Sequence, residues 1–238
     1  MFGRKKIAAL LAEFLGTAVL TLLILSVQRS QLGLQYFVAL GAGLAIALLT
    51  FVFVEYSGAF FNPAIAVGLW TARKLSTVAT VGYIIAQAAG AMAAFGIYSY
   101  FANTHLSNVG GHFTARILIA EAVGTFAFTM LYAATLYKSY NQATRAIFSG
   151  LAYTIGILVA SSAAIGLLNP AVALGIKAWA TAYFVGPFIG AIIGINLYTL
   201  VFADPAAAKA SASVSAKTTT VSPTKKPAAK KKTTAKKK

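Results

Sequence analysis

The tripeptide Asn62-Pro63-Ala64 recurs as Asn169-Pro170-Ala171, and each copy stands where a long apolar run gives way to a short one. Asn is among the best residues for capping a helix N-terminus. Pro suits the first helical position, where its missing N–H would have no partner anyway. Each copy therefore reads as a helix start. The apolar pieces that follow, about 62–72 and 169–179, are too short to cross a bilayer, which takes about 20 helical residues. A helix that begins at mid-membrane leaves backbone groups unpaired, and this is tolerated only inside protein or along a water-filled cavity. Two such N-termini that face each other describe a pore. Their partial positive charges repel cations, while the Asn62 and Asn169 amides offer N–H donors to a passing oxygen.

The pair belongs to an internal repeat. Ala12-Glu13-Phe14-Leu15-Gly16-Thr17 returns as Ala120-Glu121-Ala122-Val123-Gly124-Thr125, and Gly43-Leu44-Ala45 returns as Gly150-Leu151-Ala152. These markers and the tripeptides keep one order and nearly one offset, as from 62 to 169. Six stretches are long enough to span: about 7–27, 35–55, 79–101, 115–137, 146–167 and 181–202. Each repeat, about 7–101 and 115–202, thus has three spans and one short helix. Three is odd, so the second copy inserts upside down, and the symmetric features of both meet near the midplane.

Composition agrees. The chain of 238 residues is 59% hydrophobic and 10% charged, with a mean hydropathy of +0.77, which excludes an ordinary soluble domain. Of the net charge of +16, most is concentrated in a Lys-rich tail from Ala203 onward. Residues 1–202 form the membrane domain, and 203–238 are expected to be a disordered cytoplasmic appendage resting on anionic lipid, with nucleic acid a poor alternative. The first apolar segment is long enough for a membrane anchor rather than a cleaved signal. Arg4, Lys5, Lys6, Arg73, Lys74, Lys138, Arg145 and the tail fall on one side, so the positive-inside rule puts both termini in the cytoplasm of a cell-membrane protein. No cysteine is present, so there is no disulfide or thiolate metal site. His105 and His112 lack the companions that a metal needs. No cofactor and no catalytic constellation is expected.

The chain resembles the aquaporin, or major intrinsic protein, family over residues 7–202. The resemblance is carried by the two Glu boxes at 12–17 and 120–125, Ser57-Gly58-Ala59 before the first tripeptide, Tyr83-Ile84-Ile85-Ala86-Gln87, and Gly186-Pro187-Phe188-Ile189-Gly190-Ala191. It implies an all-α bundle of six tilted transmembrane helices plus two half-helices, built from an inverted repeat. It also implies assembly as a homotetramer with one pore per subunit, passing water or small neutral solutes.

The resemblance places the outer selectivity filter at Ala42, Ile157, Gly166 and Val172. Most relatives carry Arg where this chain has Val172, and water-selective ones carry an aromatic and a His at the first two positions. The expectation here is a wider, greasier filter with weaker exclusion of ions. Ala-Ile-Gly at the first three positions is similar to certain plant nodulin-like members, which implies glycerol or boric acid as permeants, with urea also tested. Leu174 and Phe60 are two further departures, at positions where glycerol facilitators carry Asp and relatives often carry His.

Glu13 and Glu121 lie inside spans, where acids are rare. Their symmetric placement favours a structural task, holding the segment that carries each half-helix, over proton carriage. The rival functions are an ion- or proton-coupled transporter, also built from inverted repeats, and a junctional or scaffolding protein with little flux.

Overall fold

The computed structural model describes residues 3–30, 34–103 and 105–204. Expectations for the Lys-rich tail fall outside the described residues. Six helices cross: α1 (Arg4–Gln28), α2 (Gln35–Ser57), α4 (Thr77–Ala102), α5 (Ala115–Tyr137), α6 (Gln142–Ala160) and α8 (Ala182–Leu197), the last extended by a π-helical turn at Tyr198–Phe202. Two short helices, α3 (Pro63–Thr71) and α7 (Pro170–Gly175), complete the bundle. No strand occurs among the described residues.

The repeat is visible in the packing. α1 lies on α2 and α4, and α5 lies on α6 and α8 in the same way. The two halves join through α2 and α6, where Gly43 and Gly150, equivalent residues of the two repeats, meet face to face. A Cβ on Gly43 would stand 2.8 Å from the Gly150 carbonyl oxygen, and a Cβ on Gly150 would collide with that of Gly43. Each half-helix crosses to the other repeat: a Cβ on Gly68 of α3 would press on Ala191 of α8, and one on Gly175 of α7 on Ala91 of α4. Small residues of this kind let backbones approach closely where apolar lipid supplies no hydrophobic drive between helices.

Large apolar side chains face outward along the spans, among them Leu11, Leu44, Leu48, Val81 and Ile189. The acids Glu13 and Glu121 and the hydroxyls of Thr17 and Thr125 lie wholly inside. This inversion of the soluble pattern makes the chain an integral, multi-pass membrane protein. Two expected boundaries move. Helix α6 ends at Ala160 rather than running to about 167, and α7 stops at Gly175 rather than at about 179. Residues 161–167 are apolar enough to read as span. Gly166 and Leu168, however, adopt left-handed φ values of +73° and +55°, which break the helix and aim the backbone N–H groups at Glu121.

Candidate pore at the paired half-helices

Asn62 and Asn169 cap α3 and α7 from extended backbone, at φ −152° and −145°, with Pro63 and Pro170 in the first helical position. The Ala64 N–H donates to Asn62 Oδ1 at 2.8 Å; Ala171 and Val172 donate to Asn169 Oδ1 at 3.0 and 3.3 Å. The amide nitrogens reach across the repeat. Asn62 Nδ2 donates to the Leu168 carbonyl at 2.9 Å, and Asn169 Nδ2 donates to the Phe61 carbonyl at 2.8 Å. Each Asn thus binds the residue that precedes the other, closing a symmetric ring of two hydrogen bonds. An amide carries two N–H donors, so one donor per Asn is used in fixing the half-helices.

The approach segments are held by the two buried acids. Glu13 accepts from the Phe60 and Phe61 N–H groups at 3.0 and 2.7 Å, from the Ser57 hydroxyl at 2.6 Å and from Gln87 Nε2 at 2.7 Å. Glu121 accepts from Gly166, Leu167 and Leu168 N–H at 2.9, 2.9 and 2.8 Å. Phe61 and Leu168 occupy equivalent places in the repeat and both sit at left-handed φ, +51° and +55°. That conformation costs a non-glycine residue about 1–2 kcal/mol. The carboxylate bonds to their N–H groups offset the cost and turn the following carbonyls toward the opposite Asn.

Of the expected filter residues, Ile157 and Gly166 are neighbours: a Cβ on Gly166 would lie 2.8 Å from the Ile157 carbonyl oxygen and 3.3 Å from its Cγ2. Val172 follows the capping Asn169 within the first turn of α7. Ala42, Ile157, Gly166 and Val172 are all buried. Val172 and Ile157 pack into the central apolar cluster, with the stiffness of branched side chains.

Sequence reasoning missed an aromatic file beside the Asn pair. The Tyr153 hydroxyl donates to the Leu167 carbonyl at 2.9 Å and is a hydrogen-bonding neighbour of the Asn169 amide. Its ring meets Phe128 at 4.9 Å between centroids, and Phe128 meets Tyr132 at 5.8 Å. All three are buried. A tyrosine in the middle of an apolar span, 16 residues before Asn169 (153 to 169), was the available signal.

The profile described as major intrinsic protein matches residues 3–198. The chain is 30% identical over 223 residues to aquaporin-4 of Mus musculus, covering 84% of this chain and 69% of that one. It is 31% identical over 208 residues to glycerol uptake facilitator protein-like 6 of Lactiplantibacillus plantarum, covering 77% of this chain and 93% of the other. The X-ray structure of the aquaglyceroporin from Plasmodium falciparum superposes with a TM-score of 0.65 at 20% identity, over 81% of this chain and 95% of that one, a likeness of fold.

Proposed function

The chain belongs to the major intrinsic protein family, a family of channels and not enzymes, and from that membership we propose that its two capped half-helices line one passive pore for water and small uncharged solutes. The observation that carries the reading is the reciprocal bonding of Asn62 to Leu168 and Asn169 to Phe61. It fixes two positive helix ends against each other and leaves the second N–H of Asn62 for a permeant oxygen, while that of Asn169 lies beside the Tyr153 hydroxyl.

The filter of this pore is Ala42, Ile157, Gly166 and Val172, an apolar ring without a cationic donor. Solutes that tolerate an apolar constriction, such as glycerol, urea or boric acid, suit it better than ions. A coupled transporter would need a free titratable group at the midplane. The oxygens of Glu13 and Glu121 are taken up by hydrogen bonds to their own half-helix approaches, which favours passive conduction. Four copies would each carry a pore, with both termini on the cytoplasmic face of the cell membrane and residues 203–238 against anionic lipid.

The test is osmotic. Proteoliposomes holding the full chain should change volume several-fold faster than protein-free vesicles in water gradients, and faster in at least one of glycerol, urea and boric acid. Rates equal to those of protein-free vesicles for all four would overturn the proposal.

A further inference from the structure

We propose that Arg145 and Tyr132 form an inner selectivity station of this pore, hydrogen-bonding uncharged permeants and turning back cations where the outer filter has no charge to do so. The inference rests on the channel reading above.

Arg145 lies in the first turn of α6, and its Nη2 reaches the Gly58 carbonyl at 3.4 Å. Gly58 opens the irregular segment that leads to Asn62, so a cation of the second repeat leans over the approach to the half-helix of the first. The Nε of Arg145 is shielded from solvent and has no hydrogen-bond partner, and no carboxylate pairs with the guanidinium among the described residues. The Tyr132 hydroxyl is fully buried with that guanidinium as its hydrogen-bonding neighbour, and it bonds no other group. Buried polar atoms without partners are uncommon in native proteins. A phenol that accepts from a guanidinium still has its own O–H to donate, and that spare donor beside a cation points to a third group that visits them.

A file of buried rings runs from this pair to the midplane. From Tyr132 the rings of Phe128 and Tyr153 lead to the Asn169 amide. Of the acids, Glu13 on α1 is already committed to Ser57, Phe60, Phe61 and Gln87. Glu55, on the α2 helix that packs against α6, is exposed and makes no ion pair with Arg145 among the described residues.

The repeat supplies an internal control. At the offsets that relate the two halves, Arg145 corresponds to Val38 and Tyr132 to Ile24, both buried and apolar. The duplicated scaffold therefore folds with hydrocarbon at these two places. Polar side chains stand at these places in the second repeat only. Arg is charged at every accessible pH, and a fixed guanidinium at a constriction is an electrostatic barrier to cations while its N–H groups donate to an oxygen. The ligand class is a small neutral molecule that can accept from the guanidinium and exchange a hydrogen bond with the phenol: water, a polyol or an amide.

The experiment measures Na⁺ entry and water flux in the same proteoliposomes of the full chain. Arg145→Gln should raise the Na⁺-to-water ratio at least tenfold, and Arg145→Lys should hold it within about threefold of the unaltered chain. Tyr132→Phe should lower the glycerol-to-water ratio several-fold without raising that for Na⁺, and this decides the matter if Arg145→Gln fails to incorporate. Ratios unchanged in Arg145→Gln, or in Tyr132→Phe, would overturn the station while leaving the channel standing. No water flux through the unaltered chain would overturn both.

Discussion

Removing the Glu121 carboxylate should unfold the second half-helix approach before it affects anything else. Its Oε1 accepts two backbone N–H groups, from Gly166 and Leu167, and its Oε2 accepts a third, from Leu168. All three donors are buried, and each costs about 1–3 kcal/mol when left without an acceptor. Glu121→Ala strands all three, about 3–9 kcal/mol, which is most of the 5–15 kcal/mol that typically separates native from unfolded protein. Glu121→Gln keeps one oxygen and strands the Leu168 donor against an amide NH₂, so its loss is nearer about 1–3 kcal/mol. Glu13→Gln should be milder still. The Gln87 carbonyl oxygen has no partner, and that side chain can turn to accept from the new NH₂. Denaturant unfolding in detergent, followed by tryptophan fluorescence, should order stability as unaltered, Glu13→Gln, Glu121→Gln, Glu121→Ala. A Glu121→Gln protein as stable as the unaltered chain but with altered proton-gradient dependence would refute the structural reading and make Glu121 a proton carrier.

Other perturbations probe the pore itself. Ile157→Ala removes branched bulk from a buried position, and glycerol flux should rise several-fold in vesicle swelling. Val172→Arg should do the opposite, cutting glycerol flux more than water flux in the same assay, because a guanidinium both fills the space and binds solute oxygens. Tyr153→Phe deletes the hydroxyl that occupies the Leu167 carbonyl; with that acceptor exposed to permeants, water flux should increase, as stopped-flow light scattering would read. Gly150→Ala places a methyl on the Gly43 carbonyl across the α2–α6 contact, and overpacking of this kind should cost about 1–3 kcal/mol in detergent unfolding.

Much of this molecule was legible in one dimension. Each crossing helix exposes apolar residues to lipid and must satisfy its backbone internally, so run length and Gly, Pro and Asn punctuation carry the span count. Duplication then ties Asn62 to Asn169 and Glu13 to Glu121 without any coordinates. The bonds that Glu13 and Glu121 make to the half-helix approaches support the structural task proposed for them. Hydropathy could not separate residues 161–167 from span, because the segment that leads into a half-helix is as apolar as the helix before it. What makes it a loop is backbone direction: left-handed φ at Gly166 and Leu168 and the three N–H groups turned to Glu121.

By itself, then, the sequence determined six spans, two half-helices, their inverted relation and the residues that cap them, since these follow from local periodicity and repetition. Only the tertiary structure decided what meets what. It crossed each Asn to the other repeat, set α3 on α8 and α7 on α4, and buried Ile157 and Val172 in the central apolar cluster. It also brought Tyr153 to Asn169 and Arg145 to Gly58. Those contacts join residues 87 to 108 positions apart or on different helices, and no local pattern encodes them. The tripeptides can be read in the chain, but the hydrogen bonds that cross between them exist only after the two halves have packed.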